Sequence, residues 1–238
     1  MIRMSAPTLP RLPRPSYAGV TRLLAAIEGD TKHAPSAHST LDVLWVLFDR
    51  ILRLDPDRPD DPDRDRFLLS KGHGPQAFYA VLAAFGFVPP RALECFGAFD
   101  SPLGHHPDRL LIPGVEISSG SLGHGLPLAV GSALALRARG HTTPRVIVLL
   151  GDAELDEGSN DEAIAFAGRT GLDALTVVVV DNRSATHGWP GGIAGRFEVE
   201  GWSAVTVSGH DHDALAEAFA AGMTGRPHAV VAEIGARP

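Results

Sequence analysis

Between Arg145 and Ile234 the chain alternates short, almost wholly apolar runs with helical ones. RVIVLL (Arg145–Leu150) and LTVVVV (Leu175–Val180) read as strands, as do Ala204–Val207 and Ala229–Ile234, with helices expected over Asn160–Arg169 and Asp213–Met223. A strand that is apolar at nearly every position is buried on both faces. Several such strands in succession, joined through helices, indicate a parallel sheet covered on both sides. The expected class is therefore α/β, a parallel sheet flanked by helices on both faces. In such sheets ligands collect beyond the carboxyl ends of the strands. Asp152 stands at one such end, and Asp181 and Asn182 at the next.

The rest of the chain gives helices over Tyr17–Glu28, Ser39–Leu54 (capped by Ser39 or Thr40), Gly74–Gly86 and Leu126–Arg139, and one short buried strand, Phe67–Ser70. Asp55–Arg66 is a Pro- and charge-rich stretch expected to be a solvated connector, and Gly97–Gly125 is irregular. Residues 1–16 read as an arm ahead of a single domain, 17–238, without the apolar core of a secretory signal or a membrane span. A chain of 238 residues, 44% hydrophobic, is long enough to bury a real core. A net charge of −7 argues against nucleic acid and anionic membranes as partners. The single cysteine, Cys95, excludes an intrachain disulfide and a Cys-based zinc site; it reads as a small buried residue and fits a reducing, cytoplasmic setting.

Chemistry concentrates in GDAELDEGSNDEAIAFAG, residues 151–168. Asp152 and Asn182 lie thirty residues apart and follow two strands joined by one helix. Such strands often pair side by side, which brings both side chains to one sheet edge. A carboxylate, an amide oxygen and a nearby backbone carbonyl form a hard oxygen site for Mg²⁺ or Ca²⁺. Mg²⁺ completes its shell with water and ligand phosphate. On spacing alone a second reading stands beside it: Asp152 caps a helix and Asn182 makes a turn.

GDAELDEGSNDEAIAFAGRTGLDALTVVVVDNRSATHG resembles the thiamine-diphosphate motif of transketolases. FLLSKGHGPQAFYAVLA is similar to that family's Ser-Lys-Gly-His segment, and GHHPDRLLIPGVEISSGSLGHGLPLAVGSALA to its Gly-His-Pro, Pro-Gly-Val-Glu and Gly-Ser-Leu-Gly-Gln-Gly stretch. The resemblance runs in the family's order from about Tyr17 to Ile234. It implies the thiamine diphosphate-binding fold of the diphosphate domain. It makes Asp152 and Asn182 metal ligands, with the backbone carbonyl of Ser184, and places Gly151, Ala153 and Glu154 along the diphosphate. Gly120, Leu122 and Gly123 fall in the loop that approaches the cofactor, and Glu157 near a subunit interface. His33, His73 and His106 become the catalytic candidates, facing the cleft above the cofactor's thiazolium; imidazoles titrate near neutrality and move protons in both directions. His73 is also a cofactor contact. His105 is the alternative to His106 if the loop register differs by one. His124 stands where the family has Gln, and His187, in place of an acidic residue, is a cofactor-side candidate. His141, His210, His212 and His228 lie at element ends away from the motifs; Asp156 and Asp161 are taken as solvated.

The function implied is that of the diphosphate- and Mg²⁺-binding subunit of a split, thiamine-diphosphate-dependent transketolase-like enzyme. It would transfer a two-carbon ketol unit between ketose and aldose or related carbonyl substrates. A full transketolase chain is more than twice as long. The resemblance therefore implies a separately encoded C-terminal subunit carrying the pyrimidine domain, in an α₂β₂ assembly, docking on the helix faces Leu126–Leu136 and Asn160–Ala167. Three departures stand out: Ala153 for the second Gly of Gly-Asp-Gly, Lys32 and Ala34-Pro35 around His33, and the short loop GWPGGIAGRF (Gly188–Phe197). They suggest unusual substrates. The alternatives are the α-subunit of a 2-oxo-acid dehydrogenase or decarboxylase, and a non-catalytic cofactor-binding paralogue.

Overall fold

A five-stranded sheet carries the described residues, 14–28 and 34–235 of the computed structural model; His33 and residues 1–13 of the expected arm lie outside them. In chain order the elements are α1 (Tyr17–Ala25), α2 (Ala34–Val46), β1 (Arg66–Leu69), α3 (Gln76–Ala84), α4 (Gly125–Ala138), β2 (Val146–Gly151), α5 (Gly158–Thr170), β3 (Leu175–Asp181), α6 (Gly192–Glu198), β4 (Ser203–Ser208), α7 (His212–Ala220) and β5 (His228–Glu233). The strand order is β1-β2-β3-β5-β4, and every neighbouring pair is parallel.

The two-residue period of the strands sorts the core into two layers. Phe67, Leu69, Ile147, Leu149, Val178 and Val180 face a cluster built with α1, α2, α3 and α7. Leu68, Val146, Val148, Leu150, Val177 and Val179 face α4, α5 and α6. Each fully buried valine contributes about 1.5–3 kcal/mol over leaving it in water, so β2 and β3 at the sheet centre are its firmest part. That rigidity fixes the positions of whatever follows their carboxyl ends.

The structure corrects several expectations. α2 begins at Ala34 rather than at a Ser39 or Thr40 cap and ends in a π-helical turn, Leu47–Ile51. Pro35 fits the first turn because its missing N–H is one that has no helical acceptor there. Thr40 is instead buried in mid-helix. The Gly188–Phe197 segment is not all loop: α6 starts within it, held by buried Phe197 and Arg196. The Arg196 guanidinium lies 3.9 Å from the Trp189 ring centre, donates to the Leu155 carbonyl at 2.7 Å, and pairs with Asp161, which is therefore tied down and not merely solvated. Cys95 is exposed, because the 3₁₀ turn Pro90–Cys95 turns Leu93 inward and leaves the cysteine outside. The Asp55–Arg66 connector is anchored by buried Asp65, which takes bonds from Arg53 and Arg145 at 2.8 Å each.

A second buried carboxylate, Asp42, joins three elements. It accepts from the Tyr17 hydroxyl at 2.5 Å, from His210 Nδ1 at 2.8 Å and from His212 Nε2 at 2.9 Å. Burial alone would raise its pKa, but the bonds from Tyr17, His212 and His210 outweigh that and hold it below the usual aspartate value. The clasp fastens α2 to α1 and to the start of α7.

Candidate active site

The register Gly151↔Val180 sets the ends of β2 and β3 side by side. Asp152 leaves β2 with its N–H on the Val180 carbonyl (3.1 Å) and its carboxylate 2% exposed. It occupies the N-cap position of the 3₁₀ turn Ala153–Asp156 but makes no side-chain cap bond there. Its oxygens instead receive Ser184 N–H (2.6 Å), Ser184 Oγ (2.6 Å) and Ala185 N–H (2.9 Å) from the loop after β3. That loop turns at Arg183, whose φ of 60° lies in the left-handed region and whose N–H is held by Asp181 Oδ1 at 3.0 Å. The turn is thus made by Asp181, which leaves Asn182 for another task. Asn182 Oδ1 is buried and has no hydrogen-bond partner among the described residues. An orphaned buried acceptor costs about 1–3 kcal/mol, and an amide oxygen on the loop that bonds a buried carboxylate is a fit recipient for a hard cation. Among the described residues no three His, Cys, Asp or Glu side chains gather to enclose a metal unaided. A cation here would complete its shell with backbone, water and ligand oxygens.

Glu154 braces the site from the other side. Its Oε1 accepts from Ser70 Oγ, at the end of β1, and from Gly123 N–H at 3.0 Å. Ser70 Oγ in turn accepts from Gly125 N–H at 3.0 Å. Burial pushes Glu154 above the usual glutamate value, opposed by Ser70 and the Gly123 and Gly151 N–H groups. Three elements are pinned together: the end of β1, the end of β2 and the loop that opens α4. Gly123 has a φ of 78°, and a Cβ there would stand 2.5 Å from Ser159 Oγ, so only glycine fits this pin.

The histidines divide by geometry. His73, just beyond β1, and His106, from the long loop, stand with ring centres 6.4 Å apart. The His106 ring lies against Gly120, where a Cβ would be 3.0 Å from it. His73, His106 and Gly120 therefore share one side of the site. His105 turns away and packs edge-on against Phe96, with ring centres 5.4 Å apart, so the loop register presents His106 and not its neighbour. His124 is exposed ahead of α4, and Leu122 and Glu157 are exposed as well. His187 is exposed and lines a cavity of about 300 Å³ with Asp152, Asp156, Asp181 and Arg183. Ala153 is half-buried beside Asp152.

One residue at the site was not anticipated. Lys71 is 8% exposed; its stem runs along Gly151, 3.6–3.8 Å from where a Cβ would be, and its ammonium donates to Thr40 Oγ1 at 2.8 Å. Burial draws that ammonium down to about 8 from lysine's usual 10.5, against the opposing pull of Asp152 and Glu154. The signal lay in the SKGHG segment, where the histidine alone was given a task.

This arrangement is that of a thiamine-diphosphate-binding domain on a parallel sheet. Residues 18–234 match the family described as "Transketolase, thiamine diphosphate binding domain", and the chain belongs to that family. Among curated proteins it is 55% identical over 219 residues to "Ferredoxin fas2" of Rhodococcoides fascians, covering 92% of this chain and 72% of that one. It is 34% identical over 192 residues to "6-deoxy-6-sulfo-D-fructose transketolase subunit SqwG" of a Clostridium species, covering 78% and 70%. Among solved structures, transketolase of Pichia stipitis in complex with sedoheptulose 7-phosphate superposes with a TM-score of 0.77 at 27% identity. That match covers 91% of this chain and 35% of the other, so the chain spans about a third of that transketolase.

Proposed function

We propose that this chain is the diphosphate- and Mg²⁺-binding part of a transketolase-like enzyme that moves a two-carbon ketol unit between a ketose and an aldose or related carbonyl compounds. The observation that carries the reading is the buried, orphaned Asn182 Oδ1 on the same loop whose Ser184 N–H and Oγ bond the Asp152 carboxylate. In this reading Asp152, Asn182 and the Ser184 carbonyl hold Mg²⁺ (or Ca²⁺), and phosphate and water oxygens complete its shell. Gly151, Ala153 and Glu154 border the diphosphate, with His187 at its outer side. Gly120, Leu122 and Gly123 bring backbone up to the cofactor. When bound, thiamine diphosphate supplies the electron sink for breaking and making a carbon–carbon bond beside a carbonyl. His73 and His106 hold and move the protons at the substrate's hydroxyl and carbonyl oxygens, and His33 is assigned the same work. The pairing of His73 with His106 favours sugar chemistry over 2-oxo-acid decarboxylation, since two oxygens must exchange protons in each half-reaction.

The Clostridium relative is named as one subunit of a transketolase, which supports a second, separately encoded chain that brings the pyrimidine domain, in an α₂β₂ assembly. Among the described residues no helix is long and apolar enough to cross a membrane; the single cysteine, suited to a reducing compartment, supports a cytoplasmic assignment. Asp152→Ala tests the metal site. Titration calorimetry is expected to show loss of Mg²⁺-dependent thiamine diphosphate binding, and unchanged binding would overturn the assignment.

A further inference from the structure

We propose that Arg196 is a positioning residue for the cation and diphosphate site: through Trp189 and Leu155 it ties the loop that carries Asn182 and Ser184 to the turn that follows Asp152. The inference rests on the cofactor reading above and adds to it a residue outside the metal, backbone and histidine set. Three contacts place the guanidinium. Arg196 Nη1 donates to the Leu155 carbonyl at 2.7 Å, inside the 3₁₀ turn Ala153–Asp156. Its central carbon stands 3.9 Å from the ring centre of Trp189, which lies on the same loop as Asn182 and Ser184. Nη2 pairs with Asp161 of α5. The arginine side chain is 4% exposed and its neighbour Phe197 is fully buried, so the anchor belongs to the core.

The loop needs an anchor of this kind. Its bonds from Ser184 N–H, Ser184 Oγ and Ala185 N–H all end on the Asp152 carboxylate, the group a cation would draw on. A further bond, Thr186 Oγ1 to Asp156, is exposed and 3.3 Å long. Beyond it the segment is rich in glycine. A Cβ at Gly188, Gly191 or Gly192 would meet nothing within 4 Å, and the last two have positive φ. Holding such a segment in one place costs conformational entropy. Trp189 reaches from it to the core through Arg196, and with Asp152 it lines the cavity of about 300 Å³. A planar guanidinium can meet a ring with its face while its edge donates to two acceptors, which an ammonium cannot do. Mg²⁺ tolerates little departure from octahedral geometry. Residues that orient a metal's ligands from outside change its affinity by about 10–100-fold when they are removed.

The test uses variants of the full chain, each checked by circular dichroism and thermal melting. Each is then titrated by calorimetry with Mg²⁺ at fixed thiamine diphosphate. Arg196→Met and Trp189→Leu are each expected to raise the Mg²⁺ concentration for half-saturation by about tenfold. Trp189→Phe keeps a ring for the guanidinium and is expected to stay within about threefold of the parent. The double variant Arg196→Met with Trp189→Leu is expected to lie within about twofold of the weaker single one, because both cut the same link. Asp161→Asn loosens the guanidinium from α5 but leaves Trp189 and Leu155 in place, and is expected to bind within about twofold of the parent. Parent-like binding by folded Arg196→Met overturns the proposal. So do losses that add in the double variant, which would make Trp189 a contact independent of Arg196. An equal loss in Asp161→Asn would mark the arginine as a general structural tie and overturns it too. Should Arg196→Met fail to fold, the tryptophan pair carries the test, and equal binding by Trp189→Leu and Trp189→Phe overturns the proposal. Loss of binding in Asp152→Ala alongside parent-like Arg196→Met would remove the arginine and leave the cofactor reading standing. Intact binding in Asp152→Ala would remove the cofactor reading itself.

Discussion

Asp42 and Lys71 are buried charges whose effects on stability run in opposite directions with pH. The Asp42 carboxylate has its pKa depressed in the folded protein, because the donors Tyr17, His212 and His210 outweigh the effect of burial. Its contribution is complete above the unfolded value, near 3.8, and is lost as pH falls through the lower folded value. Asp42→Asn is expected to destabilise the fold by about 1–3 kcal/mol at neutral pH. It should also flatten the acid limb of a plot of urea midpoint against pH; an acid limb identical to the parent's would show that the clasp is not coupled to folding. Lys71 has the reverse sign. Its folded value of about 8 lies below the unfolded 10.5, so the unfolded chain holds the proton more tightly and stability rises between those values. At neutral pH burial of the ammonium therefore lowers the stability of the fold, and Lys71→Met is expected to melt no lower than the parent in a thermal scan. Neither role is visible in the chain as written. The histidine partners of Asp42 lie 168 and 170 residues away, and a buried lysine is spelled like an exposed one.

At the scale of elements, sequence and structure agree where burial is two-sided. β2 and β3 are legible because nearly every position is apolar, and their adjacency follows from the single helix between them. The placing of Asp152 and Asn182 at one edge comes from that adjacency. Short elements are harder to see. α6 opens on consecutive glycines, Gly191 and Gly192, both with positive φ, and glycines there read as loop until Arg196 and Phe197 are found buried behind them. The start of α2 is hard to place because Pro35 looks like a stop when it is a first-turn residue. The Gly120–Gly125 loop stands out by its glycines, but the reason for them is the Glu154 pin. Gly123→Ala tests that pin. The new Cβ meets Ser159 Oγ at 2.5 Å and Glu157 Cβ at 2.7 Å on a backbone of positive φ, so the loop must move and the Gly123–Glu154 bond must lengthen. Expected are a loss of about 1–3 kcal/mol in folding free energy and weaker thiamine diphosphate binding. A crystal structure of the variant with the 3.0 Å bond intact would contradict the account.

At the scale of the whole molecule, the site lies along the carboxyl edge of β1, β2 and β3, with the long loop before α4 folded over one side. The helix faces expected to receive a partner need revision residue by residue. Leu126, Ala129, Val130, Ala133 and Leu136 of α4, and Ala163, Ile164 and Ala167 of α5, are core against the sheet and are not available to another chain. The same two helices turn Leu128 and Phe166 outward, 50% and 45% exposed, and Gly131 of α4 has nothing within 4 Å of where a Cβ would be. A helix with an exposed leucine and an open glycine on one side accepts another backbone at close range. The proposed α₂β₂ assembly would use this outward side, so Leu128→Asp with Phe166→Asp is expected to disrupt it. Both side chains are substantially exposed, and the double variant should fold with a melting midpoint close to the parent's. Coexpressed with the pyrimidine-domain chain and examined by sedimentation velocity, it should yield smaller species than the parent at equal concentration. Calorimetry on the isolated chain should meanwhile show parent-like Mg²⁺–thiamine diphosphate binding, because the Asp152 site lies at the strand mouths and not on this face. An unchanged sedimentation profile would move the interface elsewhere. Phe99, Leu110 and Leu111, exposed on the His105–His106 loop, would then be the next surface to charge.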